Sequence, residues 1–193
     1  MTWREILERE HRLMYEVLAA AEKECAYIDE TGTCHPALVD DMIEFFRYFA
    51  DGLHDPKEEG LLYARCHRRG MTDEDEPLEQ LLGEHEWSKG QLVALQHTVD
   101  AIKAGQRELA PELAQELRDY VEVYRRHMEI EETQFFDLVS RYLTENDLEE
   151  LSQEFTAVYE DELEEGVHGF YEELAHRVLA AETAASEPRT PSA

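Results

Sequence analysis

Basic residues are scarce in this chain of 193: 18 Lys and Arg stand against 46 Asp and Glu, a formal charge of −28. A field of that sign repels phosphate backbones instead of drawing them in by counterion release, so nucleic acid is not an expected partner. Cysteine is also scarce. Cys25, Cys34 and Cys66 are odd in number and show no CxxC spacing, which fits neither a disulfide framework nor a zinc ribbon and leaves reduced thiols with structural roles. No apolar run approaches the roughly 20 residues a membrane helix needs. The opening MTWREILEREH is charged from its fourth residue and lacks the apolar region of a signal peptide. The expected setting is the cytoplasm, with no membrane contact. What the chain does have is apolar material: a hydrophobic fraction of 42%, with nine Tyr, seven Phe and two Trp, is too much for a solvated acidic coil. The acid must coat a folded body, and the length suits one domain whose core needs no disulfide staples.

Glycine and proline punctuate the chain at Gly32 and Pro36, Gly70 to Pro77, Gly105 to Pro111, and Gly166 with Gly169. Between those marks apolar residues recur at intervals of three and four, as in Ile6, Leu7, Met14, Leu18 and in Leu113, Leu117, Tyr120, Val121, Tyr124, the helical period and not the strand alternation. The pattern predicts an all-α chain with helices over 2–28, 37–66, 77–104 and 111–142, then a C-terminal pair over 145–163 and 167–181. Thr144, followed by Glu145, Asn146 and Asp147, reads as an N-cap with acids in the first turn. Four long helices with short connections favour an up-down-up-down antiparallel four-helix bundle over residues 1–142, with 143–182 as a helical extension packed on it. Residues 183–193 have nothing to bury and are expected to be a disordered tail.

Two segments repeat one pattern. His54-Asp-Pro-Lys-Glu58-Glu-Gly-Leu-Leu-Tyr63 and His127-Met-Glu-Ile-Glu131-Glu-Thr-Gln-Phe-Phe136 both read His, three residues, Glu-Glu, two residues, then an apolar or aromatic pair. The first and third helices offer Glu10-His11 and Glu84-His85, at separations from the repeated histidines of 43 and 42 residues, so the chain looks like one hairpin used twice. Residues four apart on a helix differ by about 40° and lie on one face, so His54 with Glu58, and His127 with Glu131, can each enter one site. Glu59 and Glu132, about 140° from their histidines, are expected to face elsewhere. Counting along the helices puts His11 and His54 at one depth, roughly 26 Å from their shared turn, and His85 and His127 within about 4 Å of each other. Across the second turn His54 and His85 agree only to about 6 Å.

Two buried carboxylates without partners would cost several kcal/mol or take up protons, so four imidazoles and two carboxylates meeting inside a bundle call for metal. Imidazole with carboxylate suits iron, manganese or zinc, and shared carboxylates suit a dinuclear centre, with His11 and His54 on one ion, His85 and His127 on the other, and Glu58 and Glu131 between them. His35, His67 and His97 lie in a loop, at a helix end and off the His85 face, and take structural roles, as do His168 and His176 unless the C-terminal helix brings one toward the site. Pro56, inside the second helix, frees the carbonyl of Gly52 and predicts a kink that either aims Glu58 or serves packing alone.

Glu10-His11, His54 to Glu59, Glu84-His85 and His127 to Glu132 resemble, over about residues 5–140, the hemerythrin-like (HHE cation-binding) family. The resemblance implies a bundle holding two iron ions, oxo- or hydroxo-bridged, on His11, His54, Glu58, His85, His127 and Glu131. Oxygen-carrying members add a histidine four residues after the third-helix ligand. Here that position is Lys89, and the repeat makes Tyr15 its equivalent, so both are candidates to face an open position at the centre. The ligand set is also similar to that of bacterial di-iron proteins linked to iron–sulfur repair under nitrosative stress and of an iron-sensing domain in an F-box protein, and the chain looks like a stand-alone bacterial-type member. The function it implies is binding or sensing of oxygen, nitric oxide or iron, with a small diatomic or peroxide ligand. The alternatives are a peroxidase, oxidase or nitric oxide reductase, and a helical interaction module with a structural metal.

Overall fold

The computed structural model describes residues 1–186, which form helices joined by short connections and contain no strand. The long elements are α1 (Trp3–Thr31), α2 (36–68), α3 (Leu78–Lys103), α4 (110–142), α5 (Glu145–Glu164) and α6 (Val167–Ser186). None of them is long and apolar enough to cross a membrane. The boundaries follow local chemistry. Thr2 caps α1 by accepting from the Glu5 N–H while the Glu5 carboxylate accepts from the Thr2 N–H, and Thr144 with Asp147 repeats that reciprocal pair at α5. Gly32 ends α1 at φ 69°, a left-handed conformation that a Cβ disfavours. α6 continues to Ser186, four residues into the stretch expected to be a disordered tail, and 187–193 lie outside the described residues.

Three stretches depart from α geometry. Phe46–His54 and Glu58–Tyr63 in α2, and Glu131–Phe135 in α4, are π-helical, with bonds spanning five residues. Pro56 sits between the first two. The Asp55 N–H already bonds to Ala50 O, five residues back. A widened turn thus runs up to the proline.

The apolar core is split in two. One part takes Met14 to Ile28 from α1, Leu38 to Ala50 from α2, Leu92 to Ile102 from α3 and Ala110 to Met128 from α4. The other takes Trp3, Ile6 and Leu7, then Leu62, Tyr63 and Cys66, then Leu78 and Leu81, then Phe135, Phe136 and Val139. Along the four helices the histidines and glutamates of interest fall where the two parts meet, so a polar layer crosses the molecule with apolar side chains on either side. α5 and α6 lie against α1 and α2, α5 adding Leu151, Phe155 and Tyr159 to the second core and α6 adding Leu174, Ala175 and Val178 to the first. Basic side chains on α2 and just past its end hold α5: Arg65 donates to Glu150 and Glu154, Arg69 to Asp147, and Lys57 to Glu162.

Candidate metal centre

The polar layer gathers His11, His54, Glu58, His85, His127 and Glu131, none more than 2% exposed. Ligand atoms of His11, His54, Glu58 and Glu131 lie within 4.8 Å of one another, and so do those of Glu58, His85, His127 and Glu131. The two groups share both glutamates, and each carboxylate spans them. Glu131 Oε2 is 3.2 Å from His11 Nε2 and its Oε1 3.3 Å from His127 Nε2, while Glu58 stands with one oxygen 3.6 Å from His54 Nε2 and the other 3.6 Å from His85 Nε2.

Each imidazole is held from behind by a carboxylate on the preceding helix in a closed ring. Glu10 of α1 accepts from His54 Nδ1 of α2 at 2.8 Å, Glu59 of α2 from His85 of α3 at 2.8 Å, and Glu84 of α3 from His127 of α4 at 3.1 Å; Glu132 of α4 closes the ring on His11 of α1 at 2.8 Å. Glu59 and Glu132 thus do face away from their own helix's histidine, as helical geometry requires, but each reaches the histidine next door. With Nδ1–H committed to a carboxylate, Nε2 is left to point inward with its lone pair, the tautomer that metal-binding histidines adopt.

Those lone pairs supply the test of whether metal fits. His11 and His54 Nε2 are 3.1 Å apart and His85 and His127 Nε2 3.2 Å apart. Two bare lone pairs would repel at that distance, so without metal one ring of each pair must carry an extra proton. Burial opposes it at His11, but Glu131 and Glu132 outweigh burial and raise the pKa; His54 is lowered, by burial first. In the other pair Glu131, aided by Glu84, overrides burial and pushes His127 up to about 10. Burial, and then Glu131, push Glu58 well up, while His127 and His11 hold Glu131 down against burial. Glu58 Oε1 and Glu131 Oε2 have no hydrogen-bond donor. Protons thus occupy positions that a cation of higher charge would satisfy better, and the donor set of imidazole and carboxylate suits iron, manganese or zinc.

Lys89 does not join this layer, and Tyr15 stands at its edge in the field of Glu132 and Glu131. Tyr15 is half-buried, its hydroxyl pushed up to about 12 by burial and then Glu132, and Arg125 lies over its ring at 5.8 Å. Lys89 points outward and donates to Glu86 at 2.8 Å. Two groups not singled out in the sequence touch the layer directly. The buried Tyr63 hydroxyl donates to Glu58 Oε2 at 3.3 Å and to Glu131 Oε1 at 3.2 Å, the oxygens facing the His85 and His127 half. Asp55 Oδ1 is 3.9 Å from His85 Nε2, and both its carboxylate oxygens are buried without a donor. The repeat carries the signal for both: Tyr63 aligns with Phe136, and Asp55 with Met128. The ring partners keep the symmetry, Tyr63 stacking on His85 and Phe136 on His11. The polar groups break it, and both fall on one half.

A family model described as the hemerythrin HHE cation binding domain matches residues 3–139. The chain belongs to the hemerythrin HHE family. No curated protein and no solved structure matched it in comparison. The match ends within α4, so α5 and α6 lie beyond the matched HHE domain yet reach its polar layer. Lys57 Nζ is 2.8 Å from Glu10 Oε1 and 2.9 Å from Glu162 of α5, and His168 of α6 meets the same Glu162 at 2.8 Å. Glu10, Glu162 and His168 could themselves hold a cation, but the Lys57 ammonium already stands among them. His168 therefore approaches the HHE centre one residue removed, through Glu10. Cys25 and Cys66 are buried free thiols, pushed by burial up to about 11 and about 12, and Cys34 is also free.

Proposed function

We propose that the chain holds two iron ions in one centre, His11 and His54 on one side, His85 and His127 on the other, with Glu58 and Glu131 between, and uses it to bind or sense a small ligand such as oxygen, nitric oxide or peroxide. One observation carries the reading: two four-residue groups that share both glutamates, with every imidazole backed by its own carboxylate. When bound, two irons supply one-electron redox chemistry and positions open to an external ligand. The chain's own part is orientation and exclusion. Carboxylates behind the rings fix the tautomer and raise imidazole basicity. Phe135, Phe136 and Tyr63 close one side of the layer against water, and Phe49 and Tyr124 lie in the core on the other. The order of the two cores reverses from each helix to the next, which supports an antiparallel up-down-up-down arrangement. Free thiols support a reducing, cytoplasmic setting.

The test is anaerobic titration of the metal-free chain with ferrous iron, followed by metal analysis and an absorption spectrum in air. About two irons per chain are expected, and a chain that stays metal-free sinks the proposal. The pKa directions add a sign. Protons on His11, His127 and Glu58 of the metal-free layer must leave when metal enters, so loading at neutral pH releases protons, and affinity rises with pH by about tenfold per pH unit for each proton displaced. An indicator dye in weak buffer reads the release.

A second reading, a redox enzyme, is favoured by Tyr63, whose hydroxyl on both shared carboxylates is placed to pass an electron or a proton. Sustained turnover of peroxide, slowed in Tyr63→Phe while metal content is unchanged, is its expected signature; binding without turnover counts against it.

A further inference from the structure

Asp55 is 1% exposed, and neither of its carboxylate oxygens has a donor. On one side it approaches His85 Nε2. On the other it lines a cavity of about 420 Å³ with Asp51, Pro56, Glu59, Gly60 and Lys89. Asp51 stands beside it, accepting only a long 3.4 Å bond from Ser88. Its carboxyl is pushed up to about 7, by burial and then by the charge of Asp55, against a smaller opposing pull from Lys89. The one basic side chain in that lining, Lys89, is turned to Glu86 at the rim.

Two other cavities open beside α2, and both are already served by a cation. One, lined by Arg9, Arg12, His168 and His176, touches Glu10, where the Lys57 ammonium stands. The second, lined by Leu53, Leu61, Val158 and Lys57 itself, places an ammonium at its wall. Of these three cavities, the one at Asp51 and Asp55 leads from the surface to the layer past two carboxylates that no basic side chain contacts.

We propose that this cavity is the entry path for the divalent metal ion, with Asp51 as its first inner contact and Asp55 passing it to the half of the centre formed by His85 and His127. The inference rests on the dinuclear reading above. It explains why the two halves differ, since the unpartnered acid sits beside one pair only. Negative walls of low dielectric raise the local cation concentration and speed entry, and salt screens the effect.

The test measures uptake of cobalt(II), whose visible absorption changes on ligation, by the metal-free chain in a stopped-flow instrument. Asp51→Asn is expected to slow uptake about tenfold and to flatten its dependence on salt, while ending at the same two ions per chain. Lys89→Ala, at the exposed rim, is expected to speed uptake a few-fold by the same logic. Glu172→Gln, in the cavity beside Glu10, is expected to leave the rate unchanged. Uptake by both Asp51→Asn and Lys89→Ala at the rate of the unmodified chain, with two ions bound, overturns the entry path and leaves the dinuclear reading standing; so does a rate that responds to Glu172→Gln instead. An unmodified chain that takes up no cobalt overturns both.

Discussion

Glu131→Gln is expected to empty both halves of the centre, whereas His11→Ala empties one. Glu131 turns one oxygen to His11 and the other to His127, so its loss takes a ligand from each group of four. Glutamine keeps the volume but carries no charge, and an amide is a poor ligand beside imidazole for a divalent ion. Bound iron should fall from about two per chain to well below one, with the affinity of each half reduced by more than the 10- to 100-fold that loss of a mere supporting group costs. His11→Ala leaves Glu58, His85, His127 and Glu131 intact and should retain about one iron. Metal analysis of the two variants after identical loading decides it. Equal losses in both would mean that the glutamates are not shared.

The second large effect is on stability, and it changes sign with metal. In the metal-free chain the layer buries Glu58 against Glu131 with an oxygen of each lacking a donor. Replacing a buried charged or polar cluster member by an apolar group of similar volume is often neutral or stabilising, by about 1–4 kcal/mol, so Glu58→Met should raise the thermal midpoint of the metal-free chain or leave it unmoved. Metal binds the folded state alone. At a concentration 1,000 times the dissociation constant it adds about 4 kcal/mol, which for a chain of this size raises the midpoint by about 8–16 °C. Glu58→Met should forfeit most of that rise. Thermal unfolding of both chains with and without iron measures all four values, and a midpoint indifferent to metal in the unmodified chain would falsify the coupling.

Helices were readable because their signals are local. The cap at Thr144, the punctuation at Gly32 and Gly166, and the apolar spacing each act within one or two turns, and the observed helices begin and end within a few residues of the expected places. The common depth of the histidines was readable too, because the rise per residue is constant along a helix. The count across the second turn agreed least well, and that stretch of α2 is where two π-helical segments interrupt a constant rise.

The role of Glu59 and Glu132 was half legible. Their angle excluded the site on their own helix, but which neighbour they serve depends on how four helices are set side by side. Tyr63 and Asp55 were hidden for the same reason, each looking in the sequence like a core aromatic and a helix-surface acid. The acidic excess also changes meaning. Asp147, Glu150, Glu154 and Glu162 are not a coat alone, since they meet Arg69, Arg65 and Lys57 on and just past α2 and fasten α5 to the other helices.

By itself, then, the sequence determined an all-helical chain and a His-x3-Glu repeat whose members share a face and a depth, because periodicity and rise are properties of one helix at a time. Only the tertiary structure decided that each imidazole is backed by the carboxylate of the helix before it, that Tyr63 and Asp55 make one half of the polar layer unlike the other, and that Lys89 looks outward. Those are contacts between helices, set by packing and burial, and no spacing along a single chain encodes them.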